Sequence, residues 1–100
     1  ILDRPLSRGL GDVYKRQVVA EQAHQVFKNL QSVAVASGWG LNDIVKLTIY
    51  LTNLSAFAIV NEIMASYFIE PYPARATIEV SALPKSALVE VEAILALWYA

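Results

Sequence analysis

Hydrophobic residues recur along this chain with two different periods, and the order in which the periods follow one another limits the folds available to it. Apolar residues follow helical spacing over residues 17–38 and again over residues 53–70. Apolar and polar side chains alternate over residues 45–52, 74–80 and 88–98, as they do in half-buried strands. The sequence therefore predicts the element order helix, strand, helix, strand, strand.

Each predicted helix has one apolar stripe and a clear end. The first should end at Gly38 or Gly40, where glycine can take the left-handed cap conformation. Pro71 and Pro73 end the second. The expected stripes comprise Val19, Ala23, Val26, Phe27, Leu30, Val33 and Ala34 in the first helix and Phe57, Val60, Ile63, Met64, Tyr67 and Phe68 in the second.

These elements predict an α+β fold, a two-layer sandwich with two helices on one face of a mixed β-sheet. The middle strand-helix-strand unit should place its two strands in parallel, and the last two strands most simply form an antiparallel hairpin. We expect Val45, Leu47, Ile49 and Leu51 to face the helices. The other face should form a subunit interface with a polar pocket, and we assign to it Lys46, Thr48, Tyr50, Arg75, Thr77, Glu90, Glu92 and Ile94.

Composition narrows the possible functions. Hydrophobic residues make up 56% of the 100 residues and charged residues 17%, so we expect apolar surface to be covered in an oligomer. A formal net charge of −1 argues against nucleic acid as a partner. Without cysteine and with one histidine, His24, the chain offers no thiolate nucleophile and no multi-histidine metal site. It has neither a membrane-length apolar run nor a secretory signal, so we expect a cytoplasmic protein.

Residues 1–16 differ from the rest of the sequence. They hold half of the chain's eight basic residues together with Gly9, Gly11 and Pro5, and they follow neither period. We expect this segment to be a poorly ordered or foreign leader, and residues 17–100 to form the single domain.

Several polar residues could form a site, each with an ordinary alternative. Arg75 is either a solvated surface residue or a clamp for a small carboxylate, which a guanidinium can bind through two hydrogen bonds. Glu90 and Glu92 either follow normal strand alternation or place one carboxylate beside a substrate. His24 and Asn61 are most simply polar-face residues of the two helices.

From Gln17 to Leu97 the chain resembles the RidA (YjgF) family of reactive-intermediate imine and enamine deaminases. The resemblance depends on the order and spacing of several short motifs, called marks here, and not on any one of them. The marks are Glu21-Gln22, Asn29-Leu30, Asp43-Ile44-Val45-Lys46 with Thr48, Asn61, Tyr67-Phe68, Pro73-Ala74-Arg75, Leu83-Pro84-Lys85 and Val89-Glu90-Val91-Glu92-Ala93.

The resemblance implies a chorismate-mutase-like fold, a homotrimer with ligand pockets between subunits, and a role in metabolite damage control. It implies hydrolysis of 2-imino or 2-enamino acids such as 2-aminoacrylate to 2-keto acids and ammonia, with no metal and no cofactor. By resemblance, Arg75 binds the substrate carboxylate and Glu90 positions the attacking water. Thr77 and Asn61 would line the same pocket.

The chain departs from the family at its start, where two or more strands with a pocket tyrosine and a Ser-Gly are expected. Residues 1–16 do not match them, and Tyr14 does not replace the tyrosine. We therefore expect weak or no activity from the chain as written. The alternative to an enzyme is a non-catalytic protein that binds a small carboxylate or keto acid. RNA cleavage is disfavoured by the charge balance and by the lack of a histidine pair.

Overall fold

The computed structural model describes residues 4–96, with side chains from residue 16 onward. Its helices and strands are α1 (Arg4–Ala36), β1 (Ile44–Leu51), α2 (Phe57–Tyr67), β2 (Ala74–Glu79) and β3 (Val89–Leu95). Short 3-10 turns cover Leu41–Asp43, Leu54–Ala56 and Pro84–Ser86. The predicted order of elements is confirmed. The predicted continuation of the last strand to residue 98 falls partly on residues 97 and 98, which lie outside the described residues.

The end of α1 follows the prediction, whereas its start does not. Gly38 has a φ of +82°, and the amide of Trp39 donates to the carbonyl oxygen of Ala34 at 2.8 Å, which closes the helix. The helix begins at Arg4, within the segment for which we expected poor order. Once a packed helix has formed, each further residue adds a hydrogen bond at little entropic cost, so a helix can extend past its packed part. The division into a leader and a domain remains a prediction.

The sheet has three strands in the order β2-β1-β3, so β1 is central. β2 is parallel to β1, as predicted, and β3 is antiparallel to it. The predicted hairpin between β2 and β3 is wrong, because the chain passes around the end of β1 and β3 pairs with β1 instead of with β2. The amide of Val80 donates to Leu51 at 2.8 Å and the amide of Thr52 to Leu88 at 3.3 Å, so the two ends of this connection flank the end of β1.

Both helices pack on one face of the sheet, which confirms the predicted two-layer architecture. The core includes Ala23 and Phe27 of α1, Leu47 of β1, and Val60 and Met64 of α2. Three expected core positions are wrong, Phe57 among them. Val33 is 64% exposed although the next residue, Ala34, is buried, and Val45 is 38% exposed. A register shift between Ile44 and Lys46 turns Ile44 inward in place of Val45.

The two faces of β2 are reversed relative to our expectation. Arg75 pairs with Leu47 and Thr77 with Ile49, and paired residues point to the same face of a sheet, here the face covered by the helices. Ile78 pairs with Tyr50 on the uncovered face, called the open face below, where it is 44% exposed. As an edge strand, β2 lies at the border of the helix layer, so polar side chains on its helix side can still reach water.

Candidate functional site

Three of the four predicted site residues lie on the helix side of the sheet, where β2 passes the start of α2. The guanidinium carbon of Arg75 lies 5.3 Å from the centroid of the Phe57 ring, the first residue of α2. Thr77 follows Arg75 by two residues and therefore points to the same face of β2. Asn61 follows Phe57 by one helical turn and lies on the same side of α2. We call these three residues, with Phe57, the Arg75 cluster.

The Arg75 cluster contains two buried polar atoms that lack a partner. Within the described part of the chain, neither Oδ1 of Asn61 nor Oγ1 of Thr77 has a hydrogen-bond partner, although neither atom is accessible to solvent. Leaving such an atom unsatisfied costs about 1–3 kcal/mol, so most buried polar groups in proteins are paired. Both residues therefore hold a polar atom that the single chain leaves unsatisfied.

Phe57 was expected in the core and instead supports the guanidinium. Its ring is 36% exposed, and a cation within about 6 Å of an aromatic centroid is attracted to the ring. The guanidinium itself is exposed and can present its planar face to the ring and its N–H donors to a carboxylate. One sequence signal was available for this role, the spacing of four residues between Phe57 and Asn61.

Glu90 lies on the open face, apart from the Arg75 cluster. It pairs with Tyr50 in the sheet, and the neighbouring Glu92 pairs with Thr48. The Tyr50 hydroxyl donates to Oε2 of Glu92 at 3.2 Å. Partial burial raises the pKa of Tyr50 above its ordinary value of 10.0, and the charge and hydrogen bond of Glu92 and the charge of Glu90 act in the same direction.

Arg75 and Glu90 of one chain therefore do not converge, contrary to the expectation that they lie on paired strands of one sheet face. β1 separates their strands, and the sheet register places their side chains on opposite faces. The sequence pattern misled because both strands alternate, and alternation alone does not say which set faces the helices. A site that uses both residues requires two copies of the chain.

The remaining candidates lie elsewhere. His24 is exposed on the helix layer, with Nδ1 3.0 Å from the Tyr67 hydroxyl. A cleft of about 560 Å³ lies between α1 and the segment after β1, where Thr52, Asn53 and Ser55 line it. Another, of about 360 Å³, runs along the outer edge of β3 past Glu90. Arg75 lines neither of these two clefts.

Two further observations on the described residues concern metal ions and membranes. There, no group of three or more histidine, cysteine, aspartate or glutamate side chains could hold a metal ion. No described helix combines the length and the apolar character that crossing a bilayer requires.

Solved structures share this two-layer fold. The structure of RidA from the Antarctic bacterium Psychrobacter sp. PAMC 21119 aligns with a TM-score of 0.74 at 49% identity, over 75% of this chain and 61% of that one. The structure of Escherichia coli TdcF with bound serine aligns with a TM-score of 0.76 at 36% identity, over 80% of this chain and 65% of that one. The chain thus spans about three fifths of the length of these structures.

Sequence comparison identifies the family. The family model described as Endoribonuclease L-PSP matches residues 5–97. RutC family protein y4sK of Sinorhizobium fredii is 46% identical over 93% of this chain and 73% of its own length. The 2-iminobutanoate/2-iminopropanoate deaminase of Dermatophagoides farinae is 41% identical over 76% of this chain and 59% of its own. Reactive Intermediate Deaminase A, chloroplastic, of Arabidopsis thaliana is 47% identical over 76% of this chain and 41% of its own length.

The chain therefore belongs to the RidA (YjgF) family, as its sequence pattern predicted. Relatives named as deaminases support the family function, while the family description and other relatives carry different names.

Proposed function

We propose that this chain forms part of a hydrolase that converts 2-imino or 2-enamino acids to 2-keto acids and ammonia. The observation that supports the proposal is the exposed guanidinium of Arg75 over the Phe57 ring at the start of α2, on the face of β2 that also carries Thr77. Membership of a family with deaminase-named relatives at 41% and 47% identity supports this choice of reaction. Because the chain spans only part of those relatives, the activity is proposed for the assembled protein.

Arg75 would bind the substrate carboxylate through two parallel N–H···O hydrogen bonds, supported from behind by the Phe57 ring. Oδ1 of Asn61 and Oγ1 of Thr77 would accept hydrogen bonds from the substrate's protonated imine or amine nitrogen. Both acceptors are buried in the single chain, so a change of side-chain rotamer would have to expose them to the substrate. Such contacts fix the orientation of the electrophilic carbon, and orientation can supply much of the rate enhancement of a hydrolysis.

Glu90 would orient the attacking water and accept its proton. The water oxygen forms a bond to the imine carbon, which gives a carbinolamine. Its nitrogen takes up a proton, and the C–N bond then breaks as the hydroxyl group loses its proton and becomes the C=O group, which releases ammonia and a 2-keto acid. An enamine substrate first takes a proton at its β-carbon to give the imine. No metal or organic cofactor is needed for these steps.

Because Arg75 and Glu90 of one chain face opposite sides of the sheet, we assign the Glu90 of each site to a second copy. A homotrimer with a site at each of its interfaces meets this requirement, and the exposed apolar side chains of the open face, Ile78 and Ile94, provide area for contact between copies.

The test is a subunit-mixing experiment with keto-acid release from an enzymatically generated enamine as the readout. Arg75→Met and Glu90→Gln proteins should each be nearly inactive, and mixed oligomers of the two should regain activity, because some interfaces then combine an intact Arg75 with an intact Glu90. A Glu62→Gln protein is the matched control, since this exposed carboxylate lies on α2. Full activity of either single variant would contradict the proposed roles, and failure of mixing to restore activity would contradict the shared site.

A second candidate is a binding protein that holds a small carboxylate without converting it. The serine-bound structure of Escherichia coli TdcF favours it, because that relative holds a small amino acid. Calorimetric titration with 2-ketobutyrate alongside the enamine assay separates the two candidates. Binding without turnover of the enamine would select the second.

A further inference from the structure

We infer that Glu79 is a positioning residue for the Arg75 cluster, and this inference rests on the proposed function. Oε1 of Glu79 accepts a hydrogen bond from the amide of Leu54 at 2.8 Å. Leu54 opens the 3-10 turn that leads directly into α2, and α2 begins with Phe57. Glu79 therefore anchors the segment that carries the aromatic support of Arg75.

The contact holds the start of this segment where a helical end needs an acceptor. The first amides of a helix have no partner within it, and side-chain oxygens commonly satisfy them. Here Oδ1 of Asn53 accepts from the amide of Ser55 at 2.9 Å, and Glu79 supplies the acceptor for Leu54. A carboxylate at this end is also favoured by the helix dipole.

β2 thus contacts the Leu54–Phe57 segment at two points. Glu79 and Arg75 lie four residues apart on the same face of β2, and Glu79 reaches Leu54 while Arg75 lies over Phe57. Thr77 lies between them on that face. With both contacts in place, the Phe57 ring is held near the position on β2 that carries Arg75. Without Glu79, the weaker cation-π contact would remain of these two.

Glu79 contributes to ligand binding because it sets the position of the Arg75 guanidinium, although it does not contact the ligand itself. Loss of a helix-capping acceptor typically changes an equilibrium constant by a factor of about five. The Glu79→Ala protein should therefore bind 2-ketobutyrate about five-fold more weakly than the unaltered chain. The Glu79→Gln protein, whose amide oxygen can still accept from Leu54, should bind within about two-fold of it.

The experiment combines calorimetry with nuclear magnetic resonance of the assembled protein. In Glu79→Ala, exchange of the Leu54 amide proton should accelerate about five-fold, and the Arg75 Nε–H resonance should move toward its position in Phe57→Leu, where no ring shields it. Glu79→Gln should retain both signals. Glu62→Ala, which removes an exposed carboxylate from α2, is the control and should change neither.

The outcomes separate the inference from the proposed function. Faster Leu54 exchange with an unchanged Arg75 resonance would reduce Glu79 to a local cap and overturn the inference. Failure of the unaltered chain to bind 2-ketobutyrate would count against the proposed function, and the two resonance signals would then decide the inference alone. Should Glu79→Ala unfold, the Arg75 Nε–H resonance of the folded Glu79→Gln protein is compared with that of Phe57→Leu. Retention of the ring-induced shift in Glu79→Gln supports the inference, and its loss overturns the inference.

Discussion

The border of the helix layer, where β2 passes the start of α2, and the open face of the sheet both carry polar residues. The polar groups of these two regions differ in how far they are hydrogen-bonded. At the border, Oδ1 of Asn61 and Oγ1 of Thr77 are buried without hydrogen-bond partners in the described part of the chain. On the open face, Tyr50 donates to Glu92 across two strands. Unsatisfied buried atoms are costly, so the border carries an energetic penalty, whereas the open face already pairs part of its polar groups within one chain.

The contrast also explains why one chain does not contain the whole proposed site. The border supplies the groups that would bind a carboxylate, and the open face supplies Glu90, which would orient water. One β-sheet separates them. Two copies that bring a border against an open face would combine both.

The largest expected effect compares the stability that each face of β1 contributes. Ile49 is 1% exposed on the helix side, so Ile49→Ala should lower the free energy of unfolding by about 2–5 kcal/mol. Thr48→Ala on the open face should change it by less than about 0.5 kcal/mol. Denaturant unfolding measures both, and Ile49→Val, which should cost about 0.5–1.5 kcal/mol, serves if the alanine protein does not fold. Equal losses at both positions would mean that the open face is as buried as the core.

The next prediction tests whether Thr77, at the border, lowers the free energy of unfolding while contributing to ligand binding. Thr77→Val removes an unpartnered buried hydroxyl while keeping the shape of the side chain, so it should raise the free energy of unfolding by about 1 kcal/mol. The same change should weaken 2-ketobutyrate binding about five-fold, because a ligand hydrogen bond is lost. Thr48→Val is the matched change on the open face and should leave binding unaltered. A destabilised Thr77→Val protein would show that the hydroxyl has a partner.

A smaller effect concerns the connection that carries the chain from β2 to β3 around the end of β1. Ser86 has a φ of +58°, a left-handed conformation that non-glycine residues adopt at a cost. Ser86→Gly should therefore raise the melting temperature by a few degrees, corresponding to about 0.5–1 kcal/mol. Ser81→Gly, in the same connection but without a positive φ, should lower it slightly. Destabilisation by Ser86→Gly would show that contacts of the Ser86 side chain outweigh the cost of its backbone conformation.

The smallest effect probes the polar pair of the open face. Glu92→Gln should lower the pKa of Tyr50 toward 10.0, because it removes a negative charge that disfavours the phenolate. Since folding raises this pKa, its contribution to stability is complete below pH 10.0 and is lost as the pH rises through the folded-state value. Titration followed by carbon-13 resonance of Tyr50 measures the shift. An unchanged pKa in Glu92→Gln would show that partial burial alone raises it.

Much of the fold could be predicted from periodicity. The elements, the glycine-terminated helix, the parallel β1–β2 pair and the helix layer on one face all follow from local patterns. The position of β3 did not follow from such patterns, because a connection of nine residues can either form a hairpin beside β2 or pass around the end of β1. In the structure the amides of Val80 and Thr52 form hydrogen bonds on either side of that end, and the chain takes the second route.

The roles of the candidate site residues stay predictions, and their predicted common face is wrong. Arg75 and Thr77 face the helix side of the sheet, while Glu90 lies on the open face. Alternation in an edge strand gives two sets of side chains, and β2 carries two alanines and an isoleucine in the set that local hydrophobicity would turn inward. Pairing with β1 places the other set under the helices.

The sequence by itself determined the family, the layer architecture and the residue types available for chemistry, because hydrophobic periods and motif spacing are local properties of the chain. The tertiary structure decided which face each strand presents, and with it the separation of Arg75 from Glu90 and the contact between Glu79 and Leu54. Register is set by hydrogen bonds between segments distant in sequence, and shifting it by one residue exchanges the two faces of a strand.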